Sequence, residues 1–299
     1  MQNRRQWAWM QPYILVLPTV FLIVAFLFYP ILNVFWLSTQ YHVLNRPYLD
    51  GFIGLKNFQK IFTDPVVVET FLNSLKWVGS EVSLQLLFGL VLALLLKRSF
   101  KGKGLFRSLL FLPWTMAGVL VSMLWSLMYY QSIGVLNDLL MRLHLIAHPI
   151  AWTANMGTAF WSVIVAELWR GIPFFTIMLL ASLQSIPEEY YEACRVDGGG
   201  PVTSFLHITL PHLKNTIVLT TLLRAVWEFN SVDLILNLTN GGPIYETSTL
   251  MVYIANTAIQ QGDFGYGSAL SVFAFIILLV FAAGYLKLSN FGMDGEAKT

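Results

Sequence analysis

Two pairs of oppositely charged residues stand inside stretches of sequence that are otherwise apolar. Glu167 and Arg170 are three residues apart and Arg224 and Glu228 are four apart, so each pair can share one face of a helix. Ionisable groups at membrane depth either neutralise one another inside the protein or face a wet cavity that holds a ligand. The sequence leaves both interpretations open for Arg170 and Arg224.

The residue pattern predicts neither a metal site nor a nucleotide-binding site. His144 and His148 are four apart, but Pro149 follows and no third ligand is near, so we expect no metal site. The single cysteine, Cys194, excludes a disulfide framework. No G-x-x-x-x-G-K-[ST] sequence occurs, so the chain has no P-loop for a nucleotide. We therefore predict no catalytic residues and no cofactor bound by this chain.

The composition excludes an ordinary water-soluble fold. Hydrophobic residues make up 56% of the 299 residues and charged residues 11%, about half the charged share of a soluble chain. So few charges cannot cover a water-exposed surface unless lipid replaces water over much of it. The net charge of +2 does not indicate a nucleic-acid partner.

Uncharged stretches predict six transmembrane helices, because a helix needs about 20 apolar residues to cross the bilayer. The predicted spans are residues 13–37, 72–96, 108–130, 156–183, 215–238 and 264–286. The fourth and fifth contain the charges described above. The fold class is thus an all-α polytopic membrane protein, with residues 1–299 forming a single transmembrane domain.

The distribution of basic residues predicts that both termini are cytoplasmic, since Lys and Arg in short loops tend to stay inside. The predicted cytoplasmic residues are Arg4, Arg5, Lys97, Arg98, Lys101, Lys103, Arg107, Arg195, Lys214, Lys287 and Lys298, against Arg46, Lys56, Lys60 and Arg142 outside. We interpret the run from Lys97 to Arg107 as a topology anchor, with contact to anionic lipid as a lesser role.

The cytoplasmic segment 185–214 is too polar to cross the bilayer and too patterned to be a flexible linker. Pro187 suits the first position of a helix, and Glu188 and Arg195 complement its two dipole ends. Residues 198–200 are all glycine and should end that helix, after which Pro201 can start another. The segment therefore predicts a rigid helix–glycine corner–helix suited to docking in a partner's groove.

This segment resembles the loop of binding-protein-dependent ABC importer permeases. The family pattern is Glu-Ala-Ala, three residues, Gly, nine residues, Ile-x-Leu-Pro, and it appears here with both spacings kept. Cys194 replaces the usual second Ala, a small-for-small change. The candidate ATPase-coupling residues are Glu192, Ala193, Cys194, Asp197, Gly198, Ile208, Leu210 and Pro211.

Further stretches are similar to carbohydrate permeases of the maltose and glycerol-phosphate type, and extend the resemblance over most of the chain. They include Gly54-Leu55-Lys56-Asn57-Phe58, residues 169–174 (WRGIPF) and residues 238–243 (LTNGGP). The resemblance implies a type I ABC importer permease fold and a sugar pocket lined by the fourth and fifth helices. The candidate substrate-binding residues carried over are Glu167, Arg170, Gly171, Phe174, Trp227, Glu228, Asn230 and Ser231.

The resemblance also implies the partners and the location. They are a second, homologous permease subunit, a pair of cytoplasmic ABC ATPases that bind ATP and Mg²⁺, and an extracytoplasmic solute-binding protein. The coupling segment, residues 187–211, would sit in the ATPase cleft. The implied location is the cytoplasmic membrane of a bacterium or archaeon, in contact with lipid.

Three alternatives of other kinds stay open. First, the chain could belong to a neighbouring branch of the family, in which the transported solute is a polyol or a glycerol phosphate. An autonomous secondary transporter would show internal repeats and charge relays across several helices, and a membrane-embedded enzyme would cluster its histidines at one membrane face. The histidines here (His42, His144, His148, His207 and His212) are scattered along the sequence.

Overall fold

The computed structural model describes Tyr13 and residues 15–289. Arg4, Arg5 and Lys298, which contribute to the predicted charge bias, lie outside the described residues. The described chain forms two compact units. One comprises residues up to Pro65 together with Ile254–Ile276, and the other comprises Val66–Tyr253 and the residues from Ile277 onward.

The described residues are mainly helical. The helices are α1 (Leu15–Leu37, with a π-helical turn at Val24–Phe28), α2 (Lys56–Thr63), α3 (Pro65–Lys97), α4 (Lys103–Thr115), α5 (Gly118–Met128), α6 (Val135–Arg142), α7 (Ala159–Gln184), α8 (Glu188–Val196), α9 (Pro201–Ser204), α10 (Leu210–Phe229), α11 (Asp233–Leu238), α12 (Leu250–Ala255) and α13 (Phe264–Leu288). Two short antiparallel strands, β1 (Gln40–Tyr41) and β2 (Gly51–Phe52), pair with each other.

Four of these helices, α1, α3, α7 and α13, are long and apolar enough to cross a membrane, and the bent pair α4–α5 gives a fifth candidate. These helices contain or overlap the predicted spans 13–37, 72–96, 156–183 and 264–286. Large apolar side chains along α1, such as Phe21 and Leu32, are exposed, as expected for a helix that faces lipid or another subunit. The total of six spans stays a prediction.

The predicted third span, 108–130, differs from a single helix. α4 and α5 meet at a bend of 100°. Met116 and Ala117 between them are extended, and Pro113 in the last turn of α4 lacks the N–H that would continue the helical ladder. The apolar run is therefore either a broken span or a re-entrant segment.

The predicted fifth span, 215–238, is also interrupted. α10 ends at Phe229 and α11 begins at Asp233. At the break the carbonyl of Val226 accepts from both the backbone N–H and the side-chain amide of Asn230, at 3.3 and 2.7 Å. The expectation of one continuous helix was wrong here, because polar residues at the helix end compete for its backbone groups.

In the smaller unit, polar contacts around β1 connect segments that are distant in sequence. The Asn57 amide donates to the carbonyls of Ser38 and Gln40, at 3.0 and 2.8 Å. The backbone N–H of Gly265 donates to the carbonyl of His42, and a Cβ at position 265 would lie 2.4 Å from the Gln40 oxygen. Glycine is therefore required where α13 begins.

The larger unit contains two apolar clusters. One packs Val82, Phe175, Leu179 and Leu213 from α3, α7 and α10. The other packs Trp77, Val121, Ile164 and Leu234 from α3, α5, α7 and α11. A Cβ at Gly89 of α3 would lie 2.5 Å from the Cβ of Phe175, so glycine permits the close approach of α3 and α7. This approach positions the polar residues described next.

Candidate functional site

Glu167 of α7 is the centre of a buried polar cluster. Its side chain is fully buried and binds two arginines. Arg170, one turn further along α7, donates from Nε and Nη2 to the two carboxylate oxygens at 2.8–3.2 Å. Arg224 of α10 donates from Nη2 to Oε1 at 2.9 Å. The helix spacing thus brings Glu167 and Arg170 together as predicted, and the tertiary fold adds Arg224.

Arg224 connects three helices. Besides Glu167, its guanidinium contacts Glu228 Oε1 at 2.6 Å and donates from Nε to Gln85 Oε1 at 2.7 Å. The exposed fractions of the Arg224 and Glu228 side chains are 7% and 1%. Because both charges are almost fully buried, each depends on the other for compensation.

Glu81 and Gln85 of α3 complete the cluster and are missing from the predicted site. The Gln85 amide donates from Nε2 to Glu81 Oε2 at 2.8 Å and to Glu228 Oε1 at 3.1 Å, and both residues are fully buried. The sequence did contain a signal for these two residues, since Glu81 is a charged residue inside the second predicted span and stands four residues before Gln85. That signal is easily missed because the longer uncharged run starts at Val82.

Gly171 fits the cluster by having no side chain. A Cβ there would lie 2.3 Å from the Gln85 amide and 2.5 Å from Arg224 Nη2. Any other residue would displace one of these groups. Gly171 is therefore a packing position in this conformation, since it is buried and exposes no side chain to a ligand.

The cluster holds more carboxylates than guanidinium groups. Glu81, Glu167 and Glu228 face Arg170 and Arg224, and the Arg170 side chain is 21% exposed. Glu81 Oε1 and Glu228 Oε2 have no hydrogen-bond partner among the described residues. The cluster is thus only partly satisfied, and its carboxylates are the groups that retain acceptor capacity.

The aromatic candidates lie beside this cluster. The rings of Phe174 and Trp227 are 5.3 Å apart between centroids, and the Trp114 ring lies 6.4 Å from that of Phe174. Trp227 is 45% exposed, whereas Phe174 is buried. Asn230 is exposed and Ser231 is half-buried, directly after the end of α10. Trp227, Asn230 and Ser231 are therefore accessible, while Glu167, Phe174 and Glu228 are not.

The second candidate site, the segment between α7 and α10, forms the predicted helix–corner–helix. Pro187 is the N-cap of α8 and not its first helical residue, a shift of one position. After α8, Gly198 adopts φ +81°, its N–H donates to the Arg195 carbonyl, and the Gly199 N–H donates to the Cys194 carbonyl at 2.7 Å. These two bonds are those of a Schellman motif, which needs a left-handed residue at the position of Gly198.

The second half of the segment is continuous with α10. A π-helical turn, Phe205–Thr209, joins α9 to α10, and Pro211 lies in the first turn of α10. The wider π turn accommodates the missing N–H and the ring of Pro211, so the helix continues through this proline.

Two side-chain contacts hold together the helix–corner–helix of residues 187–211, which we call the coupling hairpin. The Ser204 hydroxyl donates to Cys194 Sγ at 3.3 Å, and the Tyr191 hydroxyl lies 3.0 Å from Thr209 Oγ1. Of the predicted coupling residues, Glu192, Ala193, Asp197, Gly198, Leu210 and Pro211 are exposed and Cys194 and Ile208 are half-buried. The exposed ones are available to a partner.

Comparison with known proteins gives the class of this chain. The family model for the inner membrane component of binding-protein-dependent transport systems matches residues 85–289. The chain is also 32% identical over 282 residues to the trehalose/maltose transport system permease protein of Thermococcus litoralis, covering 94% of each chain. This protein therefore belongs to the family of binding-protein-dependent transport system inner membrane components. It is a multi-pass membrane subunit of a transporter and not an enzyme.

Other relatives and solved structures agree with that assignment. The sulfoquinovosyl glycerol transport system permease of Agrobacterium fabrum is 32% identical, over 92% of this chain and 89% of that protein. The glycerol-3-phosphate transport system permease of Yersinia pestis is 29% identical, over 90% of each. The crystal structure of a bacterial ABC transporter that imports alginate matches with a TM-score of 0.82 at 23% identity, covering 96% of this chain and 98% of that one. The fold is thus that of a type I ABC importer permease.

Proposed function

We propose that this chain is the permease subunit through which an ABC importer passes a sugar or oligosaccharide. The observation that carries the proposal is the helix–corner–helix segment, whose Glu192 and Gly198 motif lies on an exposed, internally braced hairpin. The substrate class is inferred from relatives named for the transport of trehalose and maltose and of sulfoquinovosyl glycerol. These names favour a sugar over a polyol or glycerol phosphate.

In this proposal both termini and the 185–214 loop are cytoplasmic, and six spans cross the cytoplasmic membrane of a bacterium or archaeon. A second permease subunit completes the translocation path. A pair of ABC ATPases binds ATP and Mg²⁺ and moves the hairpin, because this chain has no P-loop of its own. An extracytoplasmic solute-binding protein delivers the sugar.

The hairpin suits transmission of a rigid-body motion. α8 projects exposed residues, among them Glu192 and Ala193, toward a partner, and the Schellman corner at Gly198 fixes its angle to α9. α9, the π turn and α10 follow one another without a break, so a displacement of the hairpin moves α10 directly. α10 carries Arg224 and Glu228, which connect it to α3 and α7. The motion can therefore reach the membrane-depth helices.

The substrate-binding candidates divide into two roles. Trp227, Asn230 and Ser231 are accessible, and we assign them direct contact: the indole face covers the C–H side of a sugar ring and the polar groups bind its hydroxyls. Glu167, Arg170, Gly171, Phe174 and Glu228 are buried or largely buried, and we assign them a supporting role. Glu167 connects α7 to α10 through Arg224, and Phe174 packs against Trp227. In this conformation their contribution to binding is positional.

The test compares Gly198→Pro with the control Gly200→Ala. Proline cannot adopt φ +81° and has no N–H for the Arg195 carbonyl, so the corner is lost. Gly200 has φ −84° and open space around a Cβ, so alanine should be tolerated. Both variants are reconstituted in proteoliposomes with the partner subunits and receptor, and uptake of labelled trehalose and maltose is measured beside ATP hydrolysis.

We expect Gly198→Pro to insert normally but to lose most uptake, with ATP hydrolysis no longer dependent on substrate. Gly200→Ala should transport at the wild-type rate. Unchanged uptake in Gly198→Pro would refute the role of the hairpin. Failure of the wild-type chain to co-purify with any ATPase would refute the proposal as a whole.

A further inference from the structure

A large open cavity lies between the membrane helices and the coupling hairpin. Its volume is about 880 Å³. Its walls come from the last turns of α3 and α7 on one side and from α8, Gly199–Pro201 and the π turn on the other. The cavity is lined neither by the residues predicted to bind substrate nor by the eight predicted coupling residues. The cavity thus shares one wall with the coupling segment 187–211, but its lining residues are other than those predicted to bind substrate or to couple to the ATPase.

The cavity combines an apolar interior with a basic rim. Leu94, Leu183 and Phe205 contribute apolar walls, and Leu183 is fully buried at the base. Lys97, Arg98 and Arg195 line the rim, where Glu188 is the acidic side chain among the lining residues. The net charge of the lining is thus positive.

The three basic groups retain capacity for an anion. Lys97 Nζ lies 3.9 Å above the centroid of the Tyr191 ring, which leaves its N–H groups available. Arg195 is 3.9 Å from Glu188 and from Glu192, at the limit of an ion pair, and remains 63% exposed. Within the described part of the chain, no carboxylate lies within 4 Å of the Arg98 side chain, which is exposed.

The position of the cavity distinguishes a lipid from a soluble anion. Leu94, Lys97 and Arg98 belong to the last turn and end of α3, where a membrane-spanning helix reaches the headgroup layer. A soluble anion needs only the rim, whereas an acyl chain can also occupy the apolar wall formed by Leu94, Leu183 and Phe205. Basic pockets between helices on the cytoplasmic side of a membrane are typical binding sites for anionic lipid headgroups.

We propose that this cavity binds one anionic phospholipid, with its phosphate at Arg98, Lys97 and Arg195 and one acyl chain along Leu94 and Phe205. The proposal rests on the cytoplasmic orientation of the hairpin given under Proposed function. A bound lipid contacts both the end of α3 and the coupling hairpin. It therefore fixes the hairpin against the membrane surface and makes coupling sensitive to lipid composition.

The experiment measures lipid retention by native mass spectrometry of the detergent-solubilised transporter complex. Phosphatidylglycerol and phosphatidylcholine with identical acyl chains are supplied in equal amounts. The variants are Arg98→Gln, on the rim, and the matched control Lys101→Gln, in the same basic run but absent from the cavity lining. Leu94→Trp, which fills the apolar wall and keeps every rim charge, is the third variant.

We expect the wild-type complex to retain a single phosphatidylglycerol in preference to phosphatidylcholine. Arg98→Gln should lower that retention roughly fivefold, the effect of one basic side chain near an anionic headgroup. Lys101→Gln should retain the lipid as the wild type does. Leu94→Trp should lose it, and an excess of inorganic phosphate should not displace it from the wild type.

Equal retention of the two lipids, or equal phosphatidylglycerol retention by Arg98→Gln and the wild type, would overturn the proposal. Displacement of phosphatidylglycerol by inorganic phosphate would contradict a lipid site and indicate a site for a soluble anion. Retention by Arg98→Gln together with loss of ATPase subunits would identify the cavity as part of the ATPase interface instead. Because ATPase co-purification is scored in the same spectra, failure of the lipid site is distinguishable from failure of the proposed function.

Discussion

The buried cluster around Arg224 and the hairpin around Gly198 use the same charged residue types in opposite ways. In the cluster, Arg224 meets Glu228 at 2.6 Å and both are almost completely buried. In the hairpin, Arg195 meets Glu188 and Glu192 at 3.9 Å with every partner more than 60% exposed. Exposed pairs at that distance contribute little free energy, whereas a buried charge left without its partner is costly.

This difference in burial shows that different interactions determine the geometry of the two regions. The cluster is defined by charge pairing across three helices, so its stability depends on single side chains. The hairpin is defined by backbone conformation at Gly198 and by short contacts such as that between Tyr191 and Thr209. Its charged side chains therefore remain exposed. The following substitutions test this contrast, beginning with the largest expected effect.

Arg224→Met should destabilise the protein by about 3–5 kcal/mol, because it leaves Glu167 and Glu228 buried without their shared partner. Arg195→Met in the hairpin removes the same type of charge from an exposed site, and we expect a change of about 0–1 kcal/mol. Thermal unfolding of the purified complex, followed by tryptophan fluorescence, measures both. Similar losses in the two variants would contradict the contrast.

Gly171→Ala should cost about 1–3 kcal/mol, because the added Cβ displaces Gln85 or Arg224 in a packed site. The matched control is Gly79→Ala in α3, where nothing lies within 4 Å of an added Cβ and alanine favours the helix. The same unfolding experiment should show a lower transition temperature for Gly171→Ala and an unchanged or higher one for Gly79→Ala. An equal response at both positions would argue that Gly171 is not constrained by the cluster.

Glu81→Gln should change stability by less than about 1 kcal/mol. One Glu81 oxygen has no partner among the described residues, and the other accepts from Gln85, which a glutamine carbonyl can also do. The same substitution at Glu167 should cost several times more, because both oxygens of Glu167 accept from arginines. Comparing the two unfolding transitions sharpens the ranking within the cluster. A larger loss for Glu81→Gln would show that the unpartnered oxygen has a role we have not assigned.

The regular parts of the fold were predictable from local pattern. Apolar runs bounded by charges predicted α1 and α13 closely, and the i,i+3 and i,i+4 spacings predicted the Glu167–Arg170 and Arg224–Glu228 pairs. Gly198 predicted the corner because three successive glycines seldom continue a helix. In each case the cause lies within a few residues of the effect.

The breaks in the helices were not predictable in the same way. Pro113 was the local signal for the bend of 100° at Met116 and Ala117, but proline is tolerated in membrane helices and does not by itself predict a break. Asn230 and Ser231 were interpreted as pocket residues within a continuous span, whereas they follow the end of α10. Hydropathy reports where a segment is soluble in lipid, not the path of its backbone.

The sequence alone determined the membrane environment of this protein, its transporter class and the position of the glycine corner, because composition, motif spacing and glycine conformation act locally. Tertiary structure alone decided that Gln85 joins Arg224 and Glu228, partners 139 and 143 residues away along the chain. It also decided that Glu167 is enclosed while Trp227 remains accessible. Which carboxylates are buried and which face a ligand depends on helices that meet only after folding, so no local pattern contains that information.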